Sequence, residues 1–312
     1  MKAIVIEQYG DKEELKEKEL AKPDPETDEV LIKIQAAAVN PIDWKLRYGY
    51  LKEKFPFEFP IVLGWDAAGI VEKVGEDVDA FQKGDRVFVR PELTNRGTYA
   101  EYTTAKAELL AKIPDNISFK EAAAVPLAGL TAYQCLLDVG NLDSGEKVLI
   151  HAGAGGVGSF AVQIAKNLGA YVATTASSKN VEFLKSLGAD EVIDYTEADF
   201  SQELEDYDLV VDTLGGEVQE KSFEVLKNRG KLVSIVEEPD QKKADQHGVE
   251  ADFHWLIPDG KELAILAEMM EKEELKPVVG TEFPFTEQGL KDAHELSETH
   301  HARGKIVIKI DH

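Results

Sequence analysis

The hydrophobic rhythm of the chain changes near residue 118. Before it, apolar and polar residues alternate with a period of two. Val30, Ile32, Ile34 and Ala36 mark one face of a strand, and Ala3 with Val5 begin another. Short apolar pieces over 61–63, 69–74 and 87–89 continue this β-rich stretch, separated by turns at Gly64, Gly75, Gly84 and Gly97. After it, helical and buried-strand patterns alternate, as in a doubly wound parallel sheet. Residues 121–139 read as helix with a break at Pro126. Further helices are expected over 179–187, up to Leu226, around 263–270 and over 286–297; strands are expected over 191–195, 209–211, 231–236 and 305–310. The polar run 237–247 reads as a surface loop. Ala251, Phe253 and Trp255 alternate with Asp252 and His254, which suggests a late strand at the sheet edge.

One stretch, 147–175, organises the rest. Val148-Leu149-Ile150 is the apolar run of a strand buried on both faces. Gly153, Gly155 and Gly158 follow in the spacing G-x-G-x-x-G. Val157, Phe160, Ala161, Ile164, Ala165 and Leu168 then recur as one helical stripe, Gly169 stops the helix, and a second strand resumes over 171–175. Inside such a strand–turn–helix–strand unit the glycines are a dinucleotide fingerprint: the first permits the tight turn, the second lets backbone approach a pyrophosphate, and the third lets helix and strand pack closely. The helix start then offers N–H groups and a dipole to the anion. The competing reading is a glycine-rich turn in some other α/β protein.

Composition narrows the setting. The 312 residues suffice for two domains, with 43% hydrophobic and 30% charged residues. The formal charge of −24 disfavours nucleic acid or an anionic membrane surface as a partner. No apolar run reaches transmembrane length, and the N-terminal stretch lacks a signal-peptide core. The single cysteine, Cys135, excludes internal disulfides and multi-cysteine zinc sites. A cytoplasmic location is expected. Pairing through the late edge strand suggests a homodimer.

Selection between nicotinamide cofactors depends on the end of the second strand, where an acid would hold the NAD ribose. Here residues 174–179 read Thr-Thr-Ala-Ser-Ser-Lys, with no carboxylate. Ser177, Ser178 and Lys179 suit a 2′-phosphate, so NADP(H) is expected; either serine could instead only cap the next helix.

Several motifs taken together resemble the medium-chain dehydrogenase/reductase superfamily, in its zinc-independent quinone oxidoreductase and alkenal/enone reductase branch. They are Val39-Asn40-Pro41-Ile42-Asp43-Trp44-Lys45, Gly64-Trp65-Asp66-Ala67-Ala68-Gly69, Gly84-Asp85-Arg86-Val87 and Gly97-Thr98-Tyr99-Ala100-Glu101-Tyr102. Leu130-Thr131-Ala132-Tyr133, the glycine loop, Asp212-Thr213-Leu214-Gly215-Gly216 and Arg303-Gly304-Lys305 complete the set. The resemblance spans essentially the whole chain. It implies an α/β architecture: a Rossmann NADP(H)-binding domain over 122–260, and a β-rich GroES-like catalytic domain formed by both chain ends, 1–121 with 261–312.

The same resemblance implies a site. Gly153, Gly155, Gly156, Val157 and Gly158 would hold the pyrophosphate, Ser177, Ser178 and Lys179 the 2′-phosphate, and Tyr195 would reach the adenosine-side phosphates. Thr131 and Leu214 would lie near the nicotinamide. Asn40, Asp43 and Lys45 would border nicotinamide and substrate in a cleft between domains, with Tyr48, Tyr50 or solvent as the proton source. Each has a plainer reading: Asn40-Pro41 as a turn, Asp43 as a helix cap, Lys45 as an exposed side chain. By motif position, the zinc ligands of the superfamily's alcohol dehydrogenases fall at Asn40, Trp65 and near Leu127, none of which replaces the ligand set, so no metal is expected. His300 and His301 read as an exposed helix end. The implied function is hydride delivery from NADPH to a small quinone or an α,β-unsaturated carbonyl. Two alternatives remain at this level: a non-catalytic NADPH-binding sensor or structural protein, and a zinc-type alcohol dehydrogenase.

Overall fold

The computed structural model describes residues 1–312, which form two compact units: Met1–Leu130 with Pro258–His312, and Thr131–Ile257. In the second unit six parallel strands lie in the spatial order Glu191–Asp194, Tyr171–Ala176, Lys147–Ile150, Tyr207–Asp212, Leu226–Ser234, Glu250–Phe253. Chain order runs outward in both directions from Lys147–Ile150. The winding therefore reverses between that strand and Tyr207–Asp212, the place where doubly wound sheets bind ligands. Val148, Leu149 and Ile150 are fully buried, as a strand covered on both faces requires.

The first unit is built on a seven-stranded sheet around the eleven-residue strand Glu29–Val39. That strand pairs antiparallel with Ala67–Val74, with Tyr102–Lys106 and with the C-terminal strand Lys305–Lys309. A second, three-stranded sheet pairs Lys2–Ile6 with Lys16–Glu19 and Ile61–Val62. Val30, Ile32, Ile34, Trp65, Val87, Tyr99 and Ile308 are among the buried residues of one continuous core. No helix is long and apolar enough to cross a membrane.

The helical stretch after Ser118 is more finely divided than periodicity suggests. Phe119–Ala123 starts from a Ser118–Glu121 capping box, Pro126–Tyr133 follows, and Gln134–Val139 widens into a π-helix. Burial pushes the Cys135 thiol up, leaving it an inert core residue. The expected loop over 237–247 is corrected. Its second half is the helix Gln241–His247, started by the Asp240 side chain accepting from the Lys242 and Lys243 N–H groups and stopped by left-handed Gly248. Only Ala244 is buried there, so no apolar stripe announces the helix. The expected edge strand occupies Glu250–Phe253, at the end of the parallel sheet.

Candidate active site

In the second unit the glycine loop leaves the strand Lys147–Ile150 and enters the helix Gly156–Leu168, with Gly155 at its N-cap. Ala152 sits in the left-handed region at φ 51, a conformation that costs about 1 kcal/mol outside glycine. It is held there by the Thr175 hydroxyl, which accepts from its N–H at 3.2 Å, and by Gly155, whose N–H donates to its carbonyl at 2.9 Å. The three glycines do different things. A side chain at Gly153 would strike the Thr174 hydroxyl, and one at Gly158 would lie 2.5 Å from the Ala152 carbonyl oxygen. Gly153 is fixed by packing of the loop against the strand Tyr171–Ala176, and Gly158 by packing of the helix against the loop. At Gly155 only the Ala152 oxygen, 3.3 Å away, stands near that position. A Cβ there would fill the space over the helix start, where the Gly156, Val157 and Gly158 N–H groups lack helical partners. The cradle therefore fits the pyrophosphate of a dinucleotide.

Two buried polar groups brace the loop. His151 lies between Thr175 and Ser222; Ser222 donates onward to the Val218 carbonyl at 2.6 Å, so it accepts from His151 Nε2, and the Thr175 hydroxyl donates to Nδ1. Burial lowers the imidazole to about 4, keeping it neutral. Asp212 accepts from the Leu214 and Gly215 N–H groups, both at 2.9 Å, from Gln219 at 3.0 Å and from Ser234 at 2.8 Å. These bonds shape the 213–216 turn, and the Thr213 hydroxyl ties it to the His151 carbonyl at 2.9 Å. Leu214 is consequently presented with 51% of its surface exposed.

The strand Tyr171–Ala176 ends at Ser177, and Ser178 and Lys179 are exposed beyond it. Tyr195 stands beside them, 57% exposed, its N–H donating to the Ala176 carbonyl at 3.2 Å. The fold also brings a group that the local sequence hides. Asp194 closes the next strand, and its carboxylate is held low by Thr196 and by Ser178. Ser178 is thus partly committed to Asp194. Thr131 is buried on the helix Pro126–Tyr133, where the second unit begins.

In the first unit Asn40, Asp43, Lys45 and Tyr48 all lie on the short helix Pro41–Arg47 and its two caps. Asn40 and Asp43 are buried at 2% and 0% exposure. Asp43 Oδ2 accepts from the Asn40 N–H at 2.9 Å and from the Tyr99 hydroxyl at 2.6 Å. Tyr99 in turn meets His294 Nε2 at 3.3 Å, and His294 Nδ1 meets Arg47 at 2.9 Å. An arginine can only donate, so His294 Nδ1 accepts and its Nε2 carries the proton toward Tyr99. Every bond in this chain points at Asp43. It ends in a guanidinium that does not release its proton, so the chain orients Asp43 and does not conduct protons. Burial pushes the Asp43 carboxyl up to about 7, while burial and the Arg47 charge hold His294 down to about 3.

Beside it lies a second buried cluster. Asp66 accepts from the Leu127 N–H at 2.7 Å, the Asn40 amide at 2.9 Å and the Lys305 ammonium at 3.1 Å. Lys305 also donates to Asn40 Oδ1 and to the Val39 carbonyl. Asn40 and Leu127, two positions at which zinc ligands would stand, are therefore tied to a carboxylate–ammonium pair, and Trp65 is fully buried. No group of three or more His, Cys, Asp or Glu residues is placed to hold a metal ion, and this donor set does not fit zinc.

Lys45 is half-buried, which lowers its pKa, and its ammonium lies 5.7 Å from the Trp44 ring centre. The Tyr48 hydroxyl donates to Glu298 at 3.2 Å, and its ring stacks on Tyr50 at 5.4 Å; Trp44 packs edge-on against both and against His300. Asp66, Tyr99, Lys305 and Asp212 sit inside motifs that the sequence singles out, yet only the fold reveals their bonds. Arg47 and His294 carry no sequence signal at all.

Two family models match: the "Alcohol dehydrogenase GroES-like domain" over residues 26–115, and "Zinc-binding dehydrogenase" over 187–308. A 2-methylene-furan-3-one reductase of Solanum lycopersicum is 39% identical over 99% of this chain and 79% of its own. A chloroplastic NADPH-dependent alkenal/one oxidoreductase of Arabidopsis thaliana is 37% identical over the same shares, 99% and 79%. The structure of the quinone oxidoreductase from Coxiella burnetii superimposes with a TM-score of 0.93 at 37% identity, covering 100% of this chain and 99% of that one.

Proposed function

This chain belongs to the medium-chain dehydrogenase/reductase superfamily, in its zinc-independent quinone oxidoreductase and alkenal/enone reductase branch, and from that premise we propose that it is an NADPH-dependent reductase of quinones or α,β-unsaturated carbonyls. The observation that carries the reading is the match to reductases of conjugated carbonyls over 99% of the chain.

When bound, NADPH supplies a hydride from the nicotinamide C4 to the acceptor, which leaves negative charge on the acceptor's oxygen. In the second unit, Gly155, Gly156, Val157 and Gly158 would hold the pyrophosphate against the helix start, while Gly153, whose N–H donates to the Thr175 carbonyl, shapes the turn beneath it. Ser177 and Lys179 take the 2′-phosphate, Ser178 contributes what Asp194 leaves available, and Tyr195 flanks the adenosine-side phosphates. Thr131 and the backbone around Leu214 support the nicotinamide half.

In the first unit, Lys45 is the group on the Pro41–Arg47 helix suited to meet negative charge on a substrate oxygen, because partial burial strengthens its field and eases proton release. Tyr48, the C-cap of that helix, carries the one hydroxyl of residues 40–48 that could supply a proton, with Glu298 fixing its orientation. Asn40 and Asp43 are buried and joined through the Asn40 N–H and Asp43 Oδ2, while Asp43 Oδ1 has no partner; they act by setting the helix that carries Lys45 and Tyr48.

The reading extends to a cytoplasmic homodimer paired along the open edge of Glu250–Phe253, with neither nucleic acid nor membrane as partner; the charge of −24 supports the last point. The test is a panel of para-quinones, 2-alkenals and enones assayed with NADPH and with NADH. Turnover of at least one class with NADPH is expected. NADPH binding without turnover of any member would instead favour a non-catalytic dinucleotide-binding protein. Replacing Lys179→Ala should raise KM for NADPH at least about tenfold, or about 1.4 kcal/mol, while leaving KM for NADH little changed; equal effects on both would remove Lys179 from the 2′-phosphate site.

A further inference from the structure

Lys305 is 3% exposed, and all three of its ammonium hydrogens have oxygen acceptors: the Val39 carbonyl, Asn40 Oδ1 and Asp66 Oδ2. The network also fixes Asn40. Its carbonyl end faces the ammonium and its NH2 end donates to Asp66 at 2.9 Å, so the amide has one orientation. Asp66 reaches a fourth segment through the Leu127 N–H at 2.7 Å. One ammonium thus joins the end of the strand Glu29–Val39, the segment before Ala67–Val74, the start of Pro126–Tyr133 and the first residue of Lys305–Lys309.

The backbone is shaped to deliver it. Gly304 is left-handed at φ 59, and a side chain there would strike the Val278 carbonyl oxygen. Pairing of Ile306 with Val39 then sets Lys305 beside Asn40. Asn40 is also the N-cap of the Pro41–Arg47 helix, and its N–H holds Asp43. Movement of Asn40 is therefore movement of the turn that leads to Lys45.

We infer that Lys305 is a positioning residue for the reduction: its buried ammonium, shared by Val39, Asn40 and Asp66, fixes the entry into the Pro41–Arg47 helix and with it Lys45. The inference rests on the proposed function for its kinetic consequence, while the structural part stands without it. A buried charge that only balanced Asp66 would tolerate any cation in its place. Three convergent acceptors suit the compact ammonium of lysine and not the planar fork of arginine.

The test compares wild type with Lys305→Arg, which keeps the charge, and with Lys305→Met/Asp66→Asn, which removes both charges together. Amide hydrogen exchange and steady-state kinetics are read on each. In either folded variant, faster exchange over residues 40–48 is expected, with kcat lowered at least about tenfold and KM for NADPH within about threefold of wild type. Wild-type exchange over 40–48 in a folded variant overturns the inference, as does a kcat within threefold of wild type. So does a rise in KM for NADPH parallel to the loss of kcat, which would mark general damage. If Lys305→Arg does not fold, the double variant decides, and if neither folds Lys305 is a folding determinant and the inference fails. A wild-type protein that reduces no quinone or enone sinks the proposed function instead, and the exchange pattern then decides the role of Lys305.

Discussion

Asp43 and His294 belong to one buried chain and respond to pH in opposite senses. The Asp43 carboxyl is raised by burial from its ordinary value to about 7, so between about 4 and 7 the folded protein holds a proton that the unfolded chain releases, and stability falls as pH rises through that window. His294, lowered to about 3, and His151, lowered to about 4, do the reverse: the unfolded chain binds protons that the folded one refuses, and stability is lost as pH falls below about 6.5. Asp43→Asn removes the first contribution. Relative to wild type, the variant should therefore be more stable at pH 8 than at pH 4.5, by roughly 4 kcal/mol at most. Urea unfolding at both pH values checks this, and a pH-independent difference would contradict the buried titration. Asp43 itself is prominent in the sequence, but Tyr99 lies 56 residues away and His294 a further 195. No local pattern joins partners at such separations, so sequence offers a helix cap or a residue bordering the substrate; the fold makes Asp43 the cap and adds an oriented network to it.

At the scale of elements, the legible parts are those whose physics is local. The strand, the glycine loop, the helix and its Gly169 terminator at φ 91 follow one another within a single unit, each with its own steric or periodic signal. Gly158 is the glycine in that unit where a side chain would press most closely on backbone atoms. Gly158→Ala puts a methyl group 2.5 Å from the Ala152 oxygen and 2.6 Å from the Gly153 Cα, so helix and loop must separate. A stability loss of about 1–3 kcal/mol is expected, with NADPH binding weakened about tenfold or more; thermal unfolding and cofactor fluorescence measure the two. Helix Gln241–His247 is the opposite case, because its signals are a cap and a terminator without a buried stripe. Asp240→Ala should cost it about 1 kcal/mol and raise amide exchange there first. Asp194 was hidden for a related reason: it meets Ser178 across parallel strands, pairing Ala176 with Asp194, and not along the chain.

For the whole molecule, the doubly wound sheet and its β-rich companion are read correctly from the change of period along the chain, since helices alternating with buried strands and strands alternating polar with apolar residues are local signals; the strand order comes only from the fold. A formal charge of −24 implies self-repulsion in the compact state, so raising sodium chloride from low to physiological strength should stabilise the protein by about 1 kcal/mol, or roughly 2–4 °C in Tm. A Tm that falls with added salt would mean that the surface ion pairs outweigh that repulsion. The open edge of Glu250–Phe253 predicts twice the chain mass of 34.4 kDa in light scattering at micromolar concentration, and a monomer would remove the proposed dimer. We propose that hydride reaches conjugated carbonyls from NADPH with organic donors alone meeting the charge. The most direct test is kcat/KM for the best quinone, enal or enone, measured with NADPH before and after exhaustive dialysis against EDTA. The same value is expected on both sides of the dialysis. Loss of activity on chelation, restored by zinc, would contradict it.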